Sequence, residues 1–464
     1  GLPDKSMKNR NHPEKPRRTV ITLALLLLLA LTPCLYLLSG PVVEGQPGLP
    51  LDDSYIHLVY ARNLAEHGFL TFDGKTLSAG TSSPLWSLWL AGCIKIGAAG
   101  ETAAVASGLI FHLLTGLTLW LFFRSCPGFF PSVCLLMAAL TIGLPNVSWF
   151  ALSGMETSLF LFLTAQLLLH VSRRAHTAAA LPALLLPLVR PEGMVFSGLA
   201  VLILFGQTRR ARKEALPVTG SWIHSLAATG LGVFLLAAIY RLHSNSWLPQ
   251  TSFSRRWIWD LPTDSLLVFP KGLASFIVMI FSFLKNFVFG WPSSQLARTA
   301  KFPSLPDPAA DIISTAIVLA LFVIFLLGVI RAAGKRSSLQ LHLLVAFFFA
   351  HLGFFLFFLP VPGGAGRYLA PCFLLGTMVL FLEMKNRTGS SQRRWLLFLL
   401  VFLLLNARGW FLWHALHKDA VAHLNRAHGR VAAYLEQNVA AGTRVAAFDI
   451  GKLQWETNCS IIDI

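Results

Sequence analysis

The chain has 464 residues, of which 55% are hydrophobic and only 13% are charged, and this balance excludes an ordinary soluble globular protein. It carries 38 Lys and Arg residues against 21 Asp and Glu residues, which gives a formal net charge of +17. Such an excess can indicate a nucleic-acid partner, but basic residues retained on the cytoplasmic side of a membrane explain it equally well. The positions of the charges therefore have to decide between the two interpretations.

Several other classes of protein lack their sequence signals. The six cysteines stand mostly in apolar runs without CxxC or Cys/His spacing, so neither a zinc site nor a disulfide framework is predicted. The sequence contains no GxxxxGKS/T phosphate loop and no GxSxG nucleophile motif. Direct use of ATP and serine-hydrolase chemistry are therefore not indicated.

Long apolar runs indicate many membrane-spanning helices. The first extends from about 19 to 39, directly after a basic N-terminus, and is long enough to cross a bilayer. Further spans are predicted at about 103–123, 131–150, 157–171, 175–189, 193–207, 222–241, 311–331, 339–360, 368–384 and 395–413. Two lysine-containing runs, 84–97 and 266–290, are predicted to be interfacial or re-entrant helices at the outer face. If 84–97 were counted as a span, several basic clusters would lie on the outer side of the membrane, against the preference of basic residues for the cytoplasmic side.

The charge pattern then predicts an all-α polytopic membrane protein with about eleven spans and a cytoplasmic N-terminus. Residues 1–18 form the basic cytoplasmic segment, 19–413 the transmembrane domain and 414–464 an extracytoplasmic C-terminal domain. Within the transmembrane domain, 40–102 and 242–310 are expected to be large outer segments. Because the basic excess belongs to the inner loops, no nucleic-acid partner is expected.

The C-terminal domain is predicted to be small and of the α/β type. An amphipathic helix over about 419–438 is followed by two strand-like runs, RVAAFDIG and SIIDI. The second run reaches Ile464, the last residue of the sequence, as expected of a truncated domain.

Two adjacent acids, Asp52 and Asp53, begin a predicted helix in the first outer segment. Apolar residues recur at helical spacing along it, so one face is expected to pack on the membrane domain and hold the acids in place. A carboxylate fixed beside the bilayer can act as a general base toward a hydroxyl. Alternatively, two acids at a helix start favour the helix dipole without any catalytic role. His57, four residues after Asp53, is expected on the solvent side.

Several segments of the sequence resemble motifs of the GT-C glycosyltransferases. DDSYIHLVYARNLA (52–65) and TSSPLW (81–86) are similar to the first extracytoplasmic loop of that superfamily. Further matches follow in family order: SGMET (153–157), RPEG (190–193), LPQT (248–251) and RYLAP (367–371). The bacterial branch that includes mycobacterial arabinofuranosyltransferases is most similar, ahead of protein O-mannosyltransferases and aminoarabinose transferases. Gln250 stands where Asn is usual and Arg255 where Lys is common, which leaves the donor sugar open.

The resemblance implies an inverting glycosyltransferase of the cell envelope, in the bacterial inner membrane, with its active site outside the cytoplasm. The implied donor is a sugar on a polyprenyl phosphate, and the implied acceptor is a hydroxyl of a glycan, a lipid-linked saccharide or a protein. Asp52 is the implied general base, and Asp53 is the alternative base or a neighbour that orients Asp52. No cofactor is implied. No metal is expected, since the branches most similar to this chain are generally metal-independent.

The residues implied to bind substrate are Tyr55, Glu156, Arg190, Glu192, Arg255, Arg256, Arg367 and Tyr368. The guanidinium groups of Arg255, Arg256 and Arg367 are suited to the lipid phosphate, because guanidinium binds phosphate oxygens bidentately. Three alternatives stay open. Glu156 can simply be an acid at the start of a helix, Arg190 and Glu192 can pair with each other, and Arg255 and Arg256 can anchor the chain at the membrane interface.

A multi-span transporter or flippase of lipid-linked saccharides is the alternative function. Transporters place ionisable groups near the middle of the membrane and are commonly built from inverted repeats. Here the acids are predicted at the outer boundary and no such repeat is evident in the sequence, which favours the enzyme.

Overall fold

The structure, a computed structural model, describes residues 16–39, 48–214, 221–247, 268–290, 338–358, 364–385 and 389–463. Helices dominate these ranges. In chain order they are α1 (Pro16–Leu38), α2 (Asp52–His67), α3 (Pro84–Lys95), α4 (Gly100–Ser125), α5 (Pro131–Ile142), α6 (Pro145–Leu152), α7 (Thr157–Ser172), α8 (Ala180–Val189), α9 (Gly193–Glu214), α10 (Trp222–Ser244), α11 (Val268–Phe289), α12 (Leu339–Phe358), α13 (Ala370–Lys385), α14 (Gly389–Arg426), α15 (His428–Asn438) and α16 (Gly451–Glu456). A 3-10 helix, Gly364–Leu369, precedes α13, and two short strands, β1 (Arg444–Ala447) and β2 (Ser460–Asp463), flank α16.

The described residues contain four helical stretches that are long and apolar enough to cross a membrane: Gly100–Ser125, Trp222–Ser244, Gly366–Glu383 and Leu399–Asn438. Shorter apolar helices accompany them: Ala24–Leu38, Thr157–Ser172, Ala180–Val189, Met279–Val288 and Leu339–Phe355. The protein is therefore a helical multi-pass membrane protein, as the apolar runs predict. The predicted span at 311–331 lies outside the described residues, as does most of the outer segment 242–310.

One apolar run predicted as a single span, 131–150, is a bent pair of helices. α5 and α6 meet at an angle of 65°. α5 ends before Gly143, and Pro145 begins α6. A proline can open a helix, but it lacks the backbone N–H that would continue one, so the run cannot form one regular helix.

Both lysine-containing runs that were not counted as spans form helices. α3 packs against α2, the helix that begins with the two acids. α11 places its second half, Met279 to Val288, in the main hydrophobic core. The position of the two helices relative to the bilayer stays a prediction.

Close packing between helices fixes the turn that follows α6. A Cβ atom on Gly108 of α4 would lie 2.1 Å from the carbonyl oxygen of Ala151, so only glycine allows α4 and α6 to approach this closely. Trp86 of α3 donates from its indole nitrogen to the carbonyl oxygen of Gly154 at 3.1 Å. The first contact holds α6 close to α4, and the second holds the turn before Glu156 against α3 of the first outer segment.

The C-terminal residues form the small α/β unit that the sequence predicts. β1 and β2 pair in parallel, with Arg444 opposite Ser460. The unit has its own small core: Ala432, Leu435, Leu453, Cys459 and Ile461. The amphipathic helix predicted over 419–438 is divided at Ala427, between the end of α14 and the start of α15.

α16 of this unit docks along α2. Arg62 of α2 donates to the carbonyl oxygens of Gln454 and Trp455, at 3.1 and 2.9 Å, near the end of α16. At the start of α16, a Cβ atom on Gly451 would lie 2.2 Å from the backbone oxygen of Asp52. The short helix is therefore held at both ends by the helix that carries the two acids.

The substitution Gly451→Ala tests this close approach. Because the added Cβ atom overlaps the backbone oxygen of Asp52, we expect α16 to shift off α2 and the protein to lose about 1–3 kcal/mol of stability. Thermal unfolding in detergent and limited proteolysis of the C-terminal unit measure the loss. Gly429→Ala is the matched control, since its Cβ atom would meet no heavy atom closer than 3.6 Å. Equal unfolding temperatures and cleavage patterns for the two variants would contradict the docking.

Candidate active site

Asp52 and Asp53 occupy the first turn of α2, as predicted, and reach different partners. Successive side chains of a helix project about 100° apart, so two adjacent acids face different neighbours. Asp52 contacts α16, whereas Asp53 contacts the 3-10 helix Gly364–Leu369. The two acids therefore join the C-terminal unit to the RYLAP segment.

Backbone amides of α16 bind the Asp52 carboxylate. The amide of Gly451 donates to Oδ2 and the amide of Lys452 donates to Oδ1, both at 2.8 Å. Burial raises the pKa of Asp52 above its ordinary value, and the two amide hydrogen bonds offset only part of that rise. The carboxylate is therefore held in one orientation while its affinity for a proton is increased.

Arg367 forms an ion pair with Asp53. The Arg367 side chain is 8% exposed and that of Asp53 is 52% exposed, so a buried cation holds a carboxylate that opens to solvent. The charge of Arg367 lowers the pKa of Asp53 by more than burial raises it. Arg367 Nε is buried and has no hydrogen-bond acceptor among the described residues. This guanidinium therefore keeps one N–H donor unused.

A buried charge array, formed by Glu156, Arg190 and Glu192, lies close to this ion pair. Arg190 Nη1 donates to Glu156 Oε1 at 3.0 Å, and Arg190 Nε donates to Glu192 Oε1 at 2.5 Å. All three side chains are at most 6% exposed. Arg190 and Glu192 thus pair with each other, which was one of the open alternatives, and Glu156 shares the same guanidinium. Burial raises the pKa of Glu156, but His57 and Arg190 together lower it to about 2.

Tyr368 lies between the two arginines of the site. Its ring is 5.0 Å from the guanidinium carbon of Arg190 and 5.3 Å from that of Arg367, within the range of cation–π attraction. Its backbone carbonyl oxygen accepts from His351 Nε2 at 2.7 Å. The RPEG and RYLAP motifs, which are far apart in sequence, therefore meet beside Glu156.

Tyr55 is buried on the Asp52 side of α2. Its hydroxyl oxygen accepts from the backbone amide of Leu49 at 3.1 Å and from Lys452 Nζ at 3.3 Å. Lys452 is itself buried and also donates to Glu456 at 2.5 Å. These contacts join Tyr55 to the C-terminal unit, and a role for Tyr55 in substrate binding stays a prediction.

His57 is buried, so its expected solvent-side position is wrong. Its side chain is 4% exposed, with Nδ1 3.1 Å from Thr81 Oγ1 and Nε2 3.3 Å from Glu156 Oε2. α3 and the turn before Glu156 cover this face of α2. The spacing of His57, four residues after Asp53, was the available signal that the two share a helix face. Lys452 had no comparable signal, because it lies between the two strand-like runs, in a segment for which the sequence predicts no element.

Arg255, Arg256 and the LPQT segment (248–251) lie outside the described residues, so their roles stay predictions. Among the residues that the structure does describe, no three His, Cys, Asp or Glu side chains converge to hold a metal ion. A metal-independent site likewise stays a prediction.

Comparison with known proteins identifies the fold. No protein-family model matches the sequence, and no curated protein matches it. The oligosaccharyltransferase of Archaeoglobus fulgidus, in its apo form, is similar with a TM-score of 0.51 at 14% identity, over 97% of this chain and 65% of that one. ArnT from Cupriavidus metallidurans, bound to undecaprenyl phosphate, is similar with a TM-score of 0.51 at 11% identity, over 96% of this chain and 86% of that one.

At these identities the likeness shows the fold. The chain spans 65% of the length of the archaeal protein. The described residues have an all-α polytopic membrane fold of the GT-C type with a small C-terminal α/β unit, as the motif resemblance predicts. Membership of the GT-C superfamily, and the branch within it, stay predictions.

The buried charge array predicts a defined pH dependence of stability. Because the folded protein lowers the pKa of Glu156 from 4.5 to about 2, ionised Glu156 stabilises the fold above pH 4.5, and this contribution is lost as the pH falls toward 2. Glu156→Gln leaves Arg190 with one carboxylate fewer, so we expect a loss of about 3–5 kcal/mol at neutral pH. The difference from the unsubstituted protein should shrink below pH 4.5.

Thermal unfolding in detergent across this pH range provides the measurement. Glu66→Gln, on the exposed surface of α2, is the control and should leave the stability almost unchanged. A constant difference between Glu156→Gln and the unsubstituted protein at every pH would show that the ion pair is not the stabilising contact.

Proposed function

We propose that the protein is an inverting glycosyltransferase that moves a sugar from a polyprenyl-phosphate donor to a hydroxyl outside the cytoplasm. The hydroxyl belongs to a glycan, a lipid-linked saccharide or a protein. The observation that carries this proposal is that the two acids at the start of α2 have different partners. Backbone amides bind Asp52, whereas a buried arginine binds Asp53. The fold, which is similar to that of ArnT bound to undecaprenyl phosphate, supports the donor class.

Arg367 is the proposed ligand of the donor phosphate. Its Nε is a buried donor without an acceptor among the described residues, and a phosphate oxygen would satisfy it. Asp53 and the Tyr368 ring keep the guanidinium in place. Arg255 and Arg256 are proposed as further phosphate contacts, on the sequence resemblance alone.

Asp52 is the proposed general base. Its raised pKa makes it a stronger base than Asp53, whose pKa is lowered by Arg367. Each Asp52 oxygen accepts one amide hydrogen bond and keeps further acceptor capacity for a hydroxyl. Asp53 is the alternative base, and it would act only after its ion pair with Arg367 loosens.

The proposed reaction is a single displacement. The acceptor hydroxyl gives its proton to Asp52, and its oxygen attacks the anomeric carbon from the face opposite the phosphate. The bond between that carbon and the phosphate oxygen breaks, and the electron pair leaves with the polyprenyl phosphate. Configuration at the anomeric carbon is therefore inverted. The energy comes from the donor bond, so no nucleotide is needed at the outer face.

The proposed orientation places residues 1–18 in the cytoplasm of a bacterium and 414–464 outside its inner membrane. The basic N-terminal segment and the inner-loop clusters support this, because basic residues are retained on the cytoplasmic side.

Replacement of each acid by its amide tests the base. We expect Asp52→Asn to lower the rate of sugar transfer about 100- to 10,000-fold, because an amide cannot accept the hydroxyl proton. Asp53→Asn should instead raise the KM for the donor, because Arg367 loses its partner. The assay uses protein in liposomes and a radiolabelled pool of polyprenyl-phosphate sugars, with Glu66→Gln as the control. If both amide variants transfer sugar at the unsubstituted rate, the general-base proposal fails. If only Asp53→Asn is inactive, the base is Asp53.

Labelling of single cysteines tests the orientation. In a background without accessible native cysteines, Lys75→Cys and Arg210→Cys should react with a membrane-impermeant reagent from opposite sides of the membrane. Lys75→Cys should be labelled in intact cells and Arg210→Cys only after permeabilisation. The reverse pattern, or labelling of both from one side, would refute the topology.

A further inference from the structure

We propose that His57 is a positioning residue of the donor site, which ties the first outer segment to Glu156 and thereby keeps Arg367 available for the donor phosphate. The inference rests on the proposed function, because it concerns binding of a lipid phosphate at that site. It assigns a role to a buried side chain that the displacement reaction does not use.

The first observation is that both ring nitrogens of His57 face polar atoms in a buried place. The side chain is 4% exposed, Nδ1 lies 3.1 Å from Thr81 Oγ1, and Nε2 lies 3.3 Å from Glu156 Oε2. A histidine that served only to fill space would not need polar atoms at both nitrogens. The two contacts instead fix the orientation of the ring between two segments of the chain.

The proton positions follow from the chemistry of the neighbours. Glu156 is ionised, because its pKa is lowered to about 2, so it can only accept hydrogen bonds. The carboxylate therefore favours the form of His57 that carries a proton on Nε2, the nitrogen 3.3 Å from Oε2. On the other side, Thr81 Oγ1 accepts from the amide of Ser83 at 3.3 Å and lies 3.1 Å from Ser87 Oγ. The outer segment around Thr81 is thus linked through the imidazole to the buried carboxylate.

Glu156 connects the His57 contact to the two arginines of the site. Its Oε1 accepts from Arg190 at 3.0 Å, and the Arg190 guanidinium shares the Tyr368 ring with that of Arg367. Because protein interiors are closely packed, a shift of the Glu156 carboxylate would move Arg190, Tyr368 and Arg367 together.

The balance of charge explains why Glu156 Oε2 needs His57. Three carboxylates, those of Asp53, Glu156 and Glu192, stand against the guanidiniums of Arg190 and Arg367. Oε2 accepts no hydrogen bond of good geometry from the described residues, and His57 Nε2 is the nitrogen that faces it, at 3.3 Å. Without the imidazole, the unsatisfied oxygen would draw a guanidinium toward itself. A guanidinium held by Glu156 Oε2 would no longer be available to bind the donor phosphate.

The test compares His57→Ala, His57→Gln and His67→Gln. His67 is the matched control, because it lies on the same helix and near a glutamate, at 3.9 Å from Glu66, but on the exposed surface. We expect His57→Ala to weaken binding of undecaprenyl phosphate about tenfold and to raise the donor KM by a similar factor, with a much smaller change in kcat. His57→Gln, which keeps an N–H toward Glu156, should recover most of the affinity. His67→Gln should behave as the unsubstituted protein.

A double-mutant cycle distinguishes positioning from a general loss of structure. If His57 acts through Glu156, the variant carrying His57→Ala and Glu156→Gln should bind undecaprenyl phosphate no more weakly than Glu156→Gln alone. Multiplied losses in the double variant, or equal binding by His57→Ala and His67→Gln, would overturn the inference.

Direct binding also separates this inference from the proposed reaction. If Asp52→Asn and Asp53→Asn both transfer sugar normally, the base assignment fails, while the binding data for the His57 variants still decide the positioning role. An unsubstituted protein that binds no undecaprenyl phosphate would overturn both the donor class and the role of His57.

Discussion

The pairing of two buried guanidiniums with carboxylates is the constraint on which the rest of the site depends. Removing a charge from water costs several kcal/mol unless a partner of opposite charge is held close to it. Arg190 therefore binds both Glu156 and Glu192, and Arg367 binds Asp53. The acids come from the first outer segment, the turn before α7 and the RPEG turn. Neutralising the two arginines thus requires segments from distant parts of the chain to meet at one place.

α2 carries both Asp52 and Asp53 and so contacts both the C-terminal unit and the RYLAP segment. Its first turn directs Asp52 to the amides of α16 and Asp53 to Arg367, and Arg62 nearer its end binds the carbonyl oxygens of α16. The orientation of Asp52 therefore depends on a docked C-terminal unit, whereas that of Asp53 depends on the RYLAP segment. A change at either partner is expected to reach the acids through this one helix.

The two acids also differ in chemical character because of these partners. Burial leaves Asp52 with a raised pKa, which suits proton transfer, while Arg367 keeps Asp53 ionised and suits it to hold a cation. Adjacent carboxylates of identical chemistry thus acquire different proton affinities from their surroundings, which is why separate roles are proposed for them. The role proposed for His57 likewise depends on a neighbouring carboxylate, that of Glu156, which lies 3.3 Å from its Nε2.

The sequence by itself determined the features that depend on local chemistry. Apolar runs of sufficient length predict helices in a membrane, and the resemblance of the ordered motifs to GT-C segments implied that Glu156, Arg190 and Arg367 belong to one site. Local patterns did not show the bend at Gly143, the burial of His57 or the amides that bind Asp52. The bend could have been predicted from the sequence, because proline commonly stands at the first position of a helix, as Pro145 does in α6. The other two were decided only by tertiary structure, because they depend on which surfaces meet: α3 and the turn before Glu156 cover one face of α2, and α16 docks on another. Hydropathy and spacing describe each helix alone, whereas contacts between distant segments follow from the packing of the whole chain.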